Sequence, residues 1–305
     1  MVTRALLHLA SNKRVERWVL ANQWSHSVSS RFVAGECIED TIPVVRGLNN
    51  RNLSVSLDFL GESITSPQGV AAVVDTYLRL FQTIRQEKLQ ANVSLKLTSL
   101  GIDLSVEECY RAMCRLLQAG GKDNFVRIDM EDSAHTQSTL DLFYRLWNGP
   151  ERHRNVGVVI QSYLRRSEAD IEKLIENGVR VRLCKGAYRE SAAVAFPDKR
   201  DVDASYVRLM KRLLKHGHYP GIATHDPAMI EATLHFAHEN QIASDQYEFQ
   251  MLFGIRRDLQ DKLAQDGHPV RVYTPFGAQW YPYFMRRLAE RPANLWFVVK
   301  NMVHR

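Results

Sequence analysis

The sequence predicts an α/β fold: a barrel of eight parallel strands with helices around it. Three observations lead there. Short, β-rich apolar runs recur eight times from about residue 50 onward, and a longer stretch with helical spacing separates each from the next. Eight such units in about 250 residues match the count and size of a (βα)8 barrel. A doubly wound open sheet would alternate in the same way. Its nucleotide-binding form needs G-x-G-x-x-G after the first strand, and neither that nor a P-loop occurs.

The first fifty residues differ from the rest. They read as helical throughout, including "SSRFVAGECIEDTIPVVRGLN", and form an N-terminal helical arm, residues 1–50, before a barrel over 51–305. The strand candidates then follow in order: "LSVSLDFL" (53–60), "NVSLKLTSL" (92–100), "FVRIDM" (125–130) and "VGVVIQSY" (156–163), then "VRVRLCKG" (179–186), "YPGIATH" (219–225), "YEFQMLFG" (247–254) and "PVRVYTPFG" (269–277). Between them lie amphipathic segments such as "QGVAAVVDTYLRLFQTIRQEK" and "PAMIEATLHFAHENQ", several opening with Ser or Asp and stopping at Gly, as capped helices do.

Composition narrows the function classes. With 45% hydrophobic and 24% charged residues the chain reads as a globular protein, and no apolar run approaches a membrane span. The start, "MVTRALLHLASNKRVERWVLANQ", is broken by charges before a signal sequence could form, which points to a cytoplasmic protein with at most peripheral membrane contact. The net charge of +6 favours acidic small molecules only weakly. The basic stretch "VRLMKRLLKHGH" (207–218) has the helical spacing of a solvated face, and no nucleic-acid motif accompanies it. Cys37, Cys109, Cys114 and Cys184 form no C-x-x-C pair, so they read as reduced thiols and not as a zinc or disulfide framework.

In a parallel barrel the carboxyl ends of the strands carry the chemistry. Polar residues gather there: Lys96 inside the second strand, Asp129 near the end of the third, Gln161 at the fourth, Arg182 and Lys185 in the fifth, His225 and Asp226 in the sixth, Gln250 in the seventh and Tyr273 in the eighth. Each has an ordinary structural use: Lys96 could reach the rim, Asp129 could cap a helix, Arg182 could sit in an ion pair. Together they describe an anion-friendly mouth with cations in excess. A metal centre fits poorly, because Arg and Lys would crowd a cation and His216-x-His218 falls at a helix end. A Schiff-base lyase using Lys96 or Lys185 stays open, as does a non-enzymatic anion-binding barrel. A flavin enzyme suits the set better: isoalloxazine needs hydrogen bonds at its pyrimidine edge and a cation near its reactive nitrogen. Its pyrophosphate needs amides and basic side chains, and "RLCKGAY" (182–188) offers cations, a glycine and an aromatic in one stretch.

Near the end, "YPYFMRRLAE" (281–290) puts Tyr281, Phe284, Met285 and Leu288 on one helical face and Tyr283, Arg286, Arg287 and Glu290 on the other. Either the polar stripe is a wet surface with an i,i+4 pair, or it faces a ligand.

"VRLCKGAYRE", "IATHD", "YEFQMLFG" and above all "WYPYFMRRLAERPAN", supported by "SLKLTSLG", "RIDMED" and "VVIQSYLRR", resemble the bacterial proline dehydrogenases, both monofunctional and as the domain of bifunctional proline-catabolic flavoproteins. The resemblance runs from about residue 30 to residue 300. It implies a distorted barrel whose last helix lies over the mouth, so that the polar stripe faces substrate. It further implies FAD as cofactor, hydride transfer from C5 of L-proline to flavin N5 giving Δ1-pyrroline-5-carboxylate, a membrane quinone as acceptor, and a separate pyrroline-5-carboxylate dehydrogenase downstream. By the same resemblance Arg286, Arg287 and Lys96 hold the proline carboxylate, Glu290 braces an arginine, Asp129 helps position the arginine pair, and Tyr283, Tyr273 and Leu252 pack round the ring. FAD would use Met130, Gln161, Arg182, Lys185, Gly186, Ala187, Tyr188, Thr224 and His225. Cys184, Asp226 and Arg189 depart from the common pattern at the FAD contacts.

Overall fold

The computed structural model describes residues 30–61 and 64–290, with side chains to Met285. Eight strands, β1 (Leu53–Phe59), β2 (Ala91–Leu95), β3 (Val126–Ile128), β4 (Val156–Gln161), β5 (Val181–Cys184), β6 (Gly221–Ala223), β7 (Glu248–Leu252) and β8 (Val270–Phe276), pair in sequence order. All pairs are parallel, and β8 closes on β1 with Ser56 opposite Tyr273. Helix α1 (Ile38–Asn49) precedes β1. Then α2 (Pro67–Gln86), α3 (Val106–Gly120), α4 (Ser133–Asn148), α5 (Ser167–Glu176), α6 (Lys199–His216), α7 (Pro227–Glu239) and α8 (Arg257–Gln265) connect successive strands, and α9 (Trp280–Glu290) follows β8.

The cap signals work as expected at several starts. Ser66 accepts from Gly69 N with Pro67 in the first turn, Ser105 from Glu108 N, and Asp226 from Ala228 N before Pro227. The apolar core lies between strands and helices: Val55, Leu57, Val93, Leu95, Val126 and Ile128 pack with Tyr77, Phe81, Met113, Leu116, Phe143 and their neighbours.

The barrel interior is different. Hydrogen bonds cross it between strands that are not neighbours, from β5 to β2 and to β7, and from β5 and β8 to the residue just past β3. Such bonds are possible only if those side chains point inward. Where a barrel of this kind ordinarily fills its interior with branched aliphatics, this one holds Ser56, Ser94, Arg127, Arg182, Glu248, Gln250, Arg271 and Tyr273. Two glycines make room. A Cβ on Gly157 would meet the Arg127 guanidinium, and one on Gly221 would meet the Gln250 amide.

Two readings of the sequence need correction. The segment before β1 is not helical throughout: residues 30–37 are turns and extended chain, with Phe32, Val33 and Ala34 buried and Ala34 N bonded to Pro275 O. The helix starts only at Ile38, because Gly35 adopts φ +129° and Asp40 Oδ2 accepts the N–H groups of Glu36 (2.9 Å) and Cys37 (3.1 Å). Residues 1–29 of the expected arm lie outside the described residues. Second, Lys96 is not inside a strand: β2 ends at Leu95, β3 at Ile128 and β5 at Cys184, so Lys96, Asp129 and Lys185 each stand immediately past a strand end.

Candidate active site

Asp129 is buried at the carboxyl end of β3, its N–H bonded to Leu95 O at 2.8 Å. Its Oδ1 accepts from Arg182 Nη1 at 2.7 Å and its Oδ2 from the Tyr273 hydroxyl at 2.8 Å. Lys96 Nζ is 4.0 Å from the same Oδ2 and donates to Asp58 Oδ2 at 3.3 Å. Arg182 is anchored at each of its nitrogens: Nη1 to Asp129, Nη2 to Ser94 Oγ at 3.0 Å, and Nε to Gln250 Oε1. Ser94 Oγ is in turn 2.8 Å from Ser56 Oγ. A guanidinium carries five N–H groups. These three bonds leave two for a ligand.

Burial, followed by the Asp129 and Asp58 carboxylates, pushes the Tyr273 phenol well above its ordinary range. Tyr273 therefore stays a proton donor to Asp129 at any working pH. Burial likewise raises the Cys184 thiol to about 12, so no thiolate competes with the carboxylates for Arg182.

Around this centre the FAD candidates fall on the loops after β3 to β6. Gln161, buried at the end of β4, donates to Glu131 O at 2.8 Å. Glu131 itself accepts from Thr98 N (3.2 Å) and Thr98 Oγ1 (2.7 Å), tying the loops after β2 and β3 together. Gly186 has φ +106° with the Tyr163 ring against it, so any side chain there would clash. His225 Nε2 accepts the N–H of Leu252 at 2.8 Å, which places the ring proton on Nδ1. Thr224 and Met130 are buried, Lys185, Tyr188 and Leu252 half-buried, and Ala187 exposed. Tyr283 is buried with Tyr281, Phe284 and Met285 on α9, and Trp280 Nε1 reaches Glu36 Oε1 at 3.1 Å. The side chains of Arg286, Arg287 and Glu290 lie outside the described residues.

The expected excess of cations does not hold among the described residues. Lys96 and Arg182 face Asp58 and Asp129, and Lys185 pairs with both Asp203 and Asp226 (2.7 Å to the latter). The hydrogen bond from Lys185, against a smaller burial effect, holds the Asp226 carboxyl below its ordinary value. Asp58, Ser94 and Glu248 join the site beyond the residues the sequence singles out, and they carry a signal: Ser56/Asp58, Ser94/Lys96, Arg127/Asp129 and Glu248/Gln250 are polar pairs at strand spacing in largely apolar strands; Asp203, on helix α6, carries none.

The sequence matches the profile of the proline dehydrogenase family over residues 41–300. The chain belongs to the proline dehydrogenase family. It is 41% identical to proline dehydrogenase 2 of Bacillus subtilis (strain 168) over 303 residues, 99% of each chain. It is also 41% identical to proline dehydrogenase of Deinococcus radiodurans over 307 residues, 98% of this chain and 97% of that one. Among solved structures it is similar to proline utilization A from Bdellovibrio bacteriovorus inactivated by N-propargylglycine, with a TM-score of 0.82 and 27% identity over 87% of this chain. The chain spans about a third of the length of that structure, covering 33% of it. A proline dehydrogenase barrel thus accounts for the closed eight-stranded sheet. Among the described residues no helix is long and apolar enough to cross a membrane.

Proposed function

We propose that this proline dehydrogenase oxidises L-proline to Δ1-pyrroline-5-carboxylate with FAD bound at the carboxyl end of the barrel. The observation that carries the reading is the Arg182 centre: a buried guanidinium fixed by three acceptors with two N–H groups left. That is what a pre-set cation for a cofactor gaining negative charge requires. FAD, when bound, supplies the acceptor for the hydride from C5 of proline.

The chain's own residues divide the remaining work. Arg286 and Arg287 bind the substrate carboxylate, since the described cations at the mouth are already matched by carboxylates; planar guanidinium forks suit that task. Glu290 holds one arginine in place. Lys96, fixed by Asp58, adds positive charge. Its ion pair also argues against the lyase reading, which needs a free amine. Asp129 orients Arg182 and Tyr273 together, and Tyr273, Tyr283 and Leu252 shape the pocket round the pyrrolidine ring. Met130, Gln161, Gly186, Ala187, Tyr188, Thr224 and His225 hold FAD with Arg182. Lys185 spends two of its three N–H groups on Asp203 and Asp226, so it meets a phosphate through its third, by hydrogen bond more than by net charge.

The chain divides into an arm, 1–50, and a barrel, 51–305, with α9 over the mouth. Electrons leave to a membrane quinone through peripheral, salt-sensitive contact from the cytoplasmic side, and a separate pyrroline-5-carboxylate dehydrogenase consumes the product. The direct test is the visible absorption of purified protein. A yellow protein bleached by L-proline without air supports the reading; a colourless protein that takes up no added FAD overturns it.

A further inference from the structure

Beneath Arg182 the barrel holds a chain of polar contacts that the proposed reaction does not use. Gln250 Nε2 donates to Glu248 Oε1 at 2.6 Å, and Arg271 Nε donates to that same Oε1 at 2.8 Å. Arg271 also reaches Val55 O at 2.9 Å, and Glu248 is 2% exposed. The amide of Gln250 lies between two neighbours that can each do only one thing. An ionised carboxylate only accepts and a guanidinium only donates. Both require the same orientation: nitrogen toward Glu248, oxygen toward Arg182 Nε. The inward-facing Gly221, paired with Glu248 across β6 and β7, leaves the space the amide fills.

We propose that Gln250 is a positioning residue for the flavin-facing guanidinium, with its amide orientation imposed by the Glu248–Arg271 pair. Nε is the nitrogen attached to the arginine stem, so a bond there fixes the guanidinium plane, whereas the bonds to Asp129 and Ser94 hold its rim. Electrostatic preorganisation depends on such fixed geometry, since a cation that must reorient stabilises arriving negative charge less. The inference rests on the reading that Arg182 serves FAD.

The test uses FAD-loaded enzyme with Gln250→Met, Arg182→Met and the double variant, and reads the flavin midpoint potential beside kcat and KM. Gln250→Met removes the acceptor but keeps the volume and leaves Glu248 paired with Arg271. It should shift the oxidised/reduced equilibrium about tenfold toward oxidised flavin, about 30 mV for a two-electron couple. It should lower kcat by a similar factor and leave KM for proline within about twofold. The double variant should match Arg182→Met alone, because Gln250 acts through that residue. A Gln250→Met enzyme with wild-type potential, or effects that add in the double variant, overturns the inference. If Arg182→Met itself leaves the potential unchanged, the reading of Arg182 falls first and the inference with it. Should Gln250→Met fail to fold, Gly221→Ala, which displaces the amide, decides in its place: a lowered potential with KM unchanged supports the inference, and an unchanged potential overturns it.

Discussion

At the amino end of the barrel interior, Arg271 bonds Glu248 and the backbone of β1; toward the carboxyl end, where a parallel barrel carries its chemistry, Arg182 and Tyr273 bond Asp129 and Lys96 stands beside it. Both sets are buried and both are charged. The lower pair is closed: burial pushes the Glu248 carboxyl up, but the charge and hydrogen bond of Arg271, with Gln250 and Arg127 adding to them, outweigh it and hold it at about 2. Burial, followed by the positive charges of Arg182 and Arg180, pushes the nearby Arg127 well below its ordinary value against the pull of Glu248, and its Nη1 rests on Val158 O and Arg180 O. Spare donors do not separate the two sets, since Arg271 and Arg127 also leave N–H groups unused. Position does: charges at the amino end serve the fold, and charges at the carboxyl ends of the strands are available to a ligand.

Breaking the lower pair should therefore cost the most stability. Arg271→Met leaves a buried carboxylate without its partner and should destabilise the protein by about 3–5 kcal/mol. Urea denaturation checks it; a loss below about 1 kcal/mol would erase the distinction between the two layers. The same pair has a pH signature. The folded carboxyl of Glu248 lies near 2 against an ordinary 4.5, so its contribution is complete above pH 4.5 and is lost as pH falls toward 2, about 3 kcal/mol in all. Tm of the wild type should drop below pH 4.5 more steeply than that of Arg271→Met, and parallel curves would contradict this.

In the upper layer, activity should suffer more than stability. Asp129→Asn keeps the shape but weakens the bonds from Arg182 and Tyr273, and kcat/KM should fall by about 1.5–3 kcal/mol, the range for hydrogen bonds to a charged group. A Tm loss with unchanged kinetics would place Asp129 with the lower layer. Outside the barrel the contrast is sharper still. Arg212 pairs with Glu172 between two exposed side chains, and Arg212→Ala should leave both Tm and kinetics at wild-type values within error, as exposed pairs usually do.

The barrel was legible because each strand run and each helical stretch carries its own period and its own stops, and the strand order needed no long-range information. The positions of Arg182, Tyr273 and Gln161 could also be placed on their strands. Their partners could not. Asp129 and Tyr273 are 144 residues apart, and nothing local in "RIDMED" says whether its aspartate caps a helix or crosses the barrel. Local pattern misled at residues 30–37, where apolar spacing suggested a helix. The turn at Gly35 and the Asp40 carboxylate overrule it, and that segment then covers Trp280 of α9 through Glu36. Gln250 can be placed at its strand from the sequence, but its role cannot, because that depends on what stands on both sides of its amide.

The central claim is that the mouth's described cations are already matched and that α9 supplies the clamp for the proline carboxylate. Steady-state kinetics with L-proline on Arg286→Lys and Arg287→Lys, flavin content checked first, tests it most directly. Each variant should retain FAD and raise KM strongly, with a loss of roughly 2–5 kcal/mol in kcat/KM, the scale of truncating one partner of a buried charge pair. Glu290→Ala should do milder damage in the same direction. If all three leave KM within about twofold, the stripe is a wet surface and the clamp lies elsewhere.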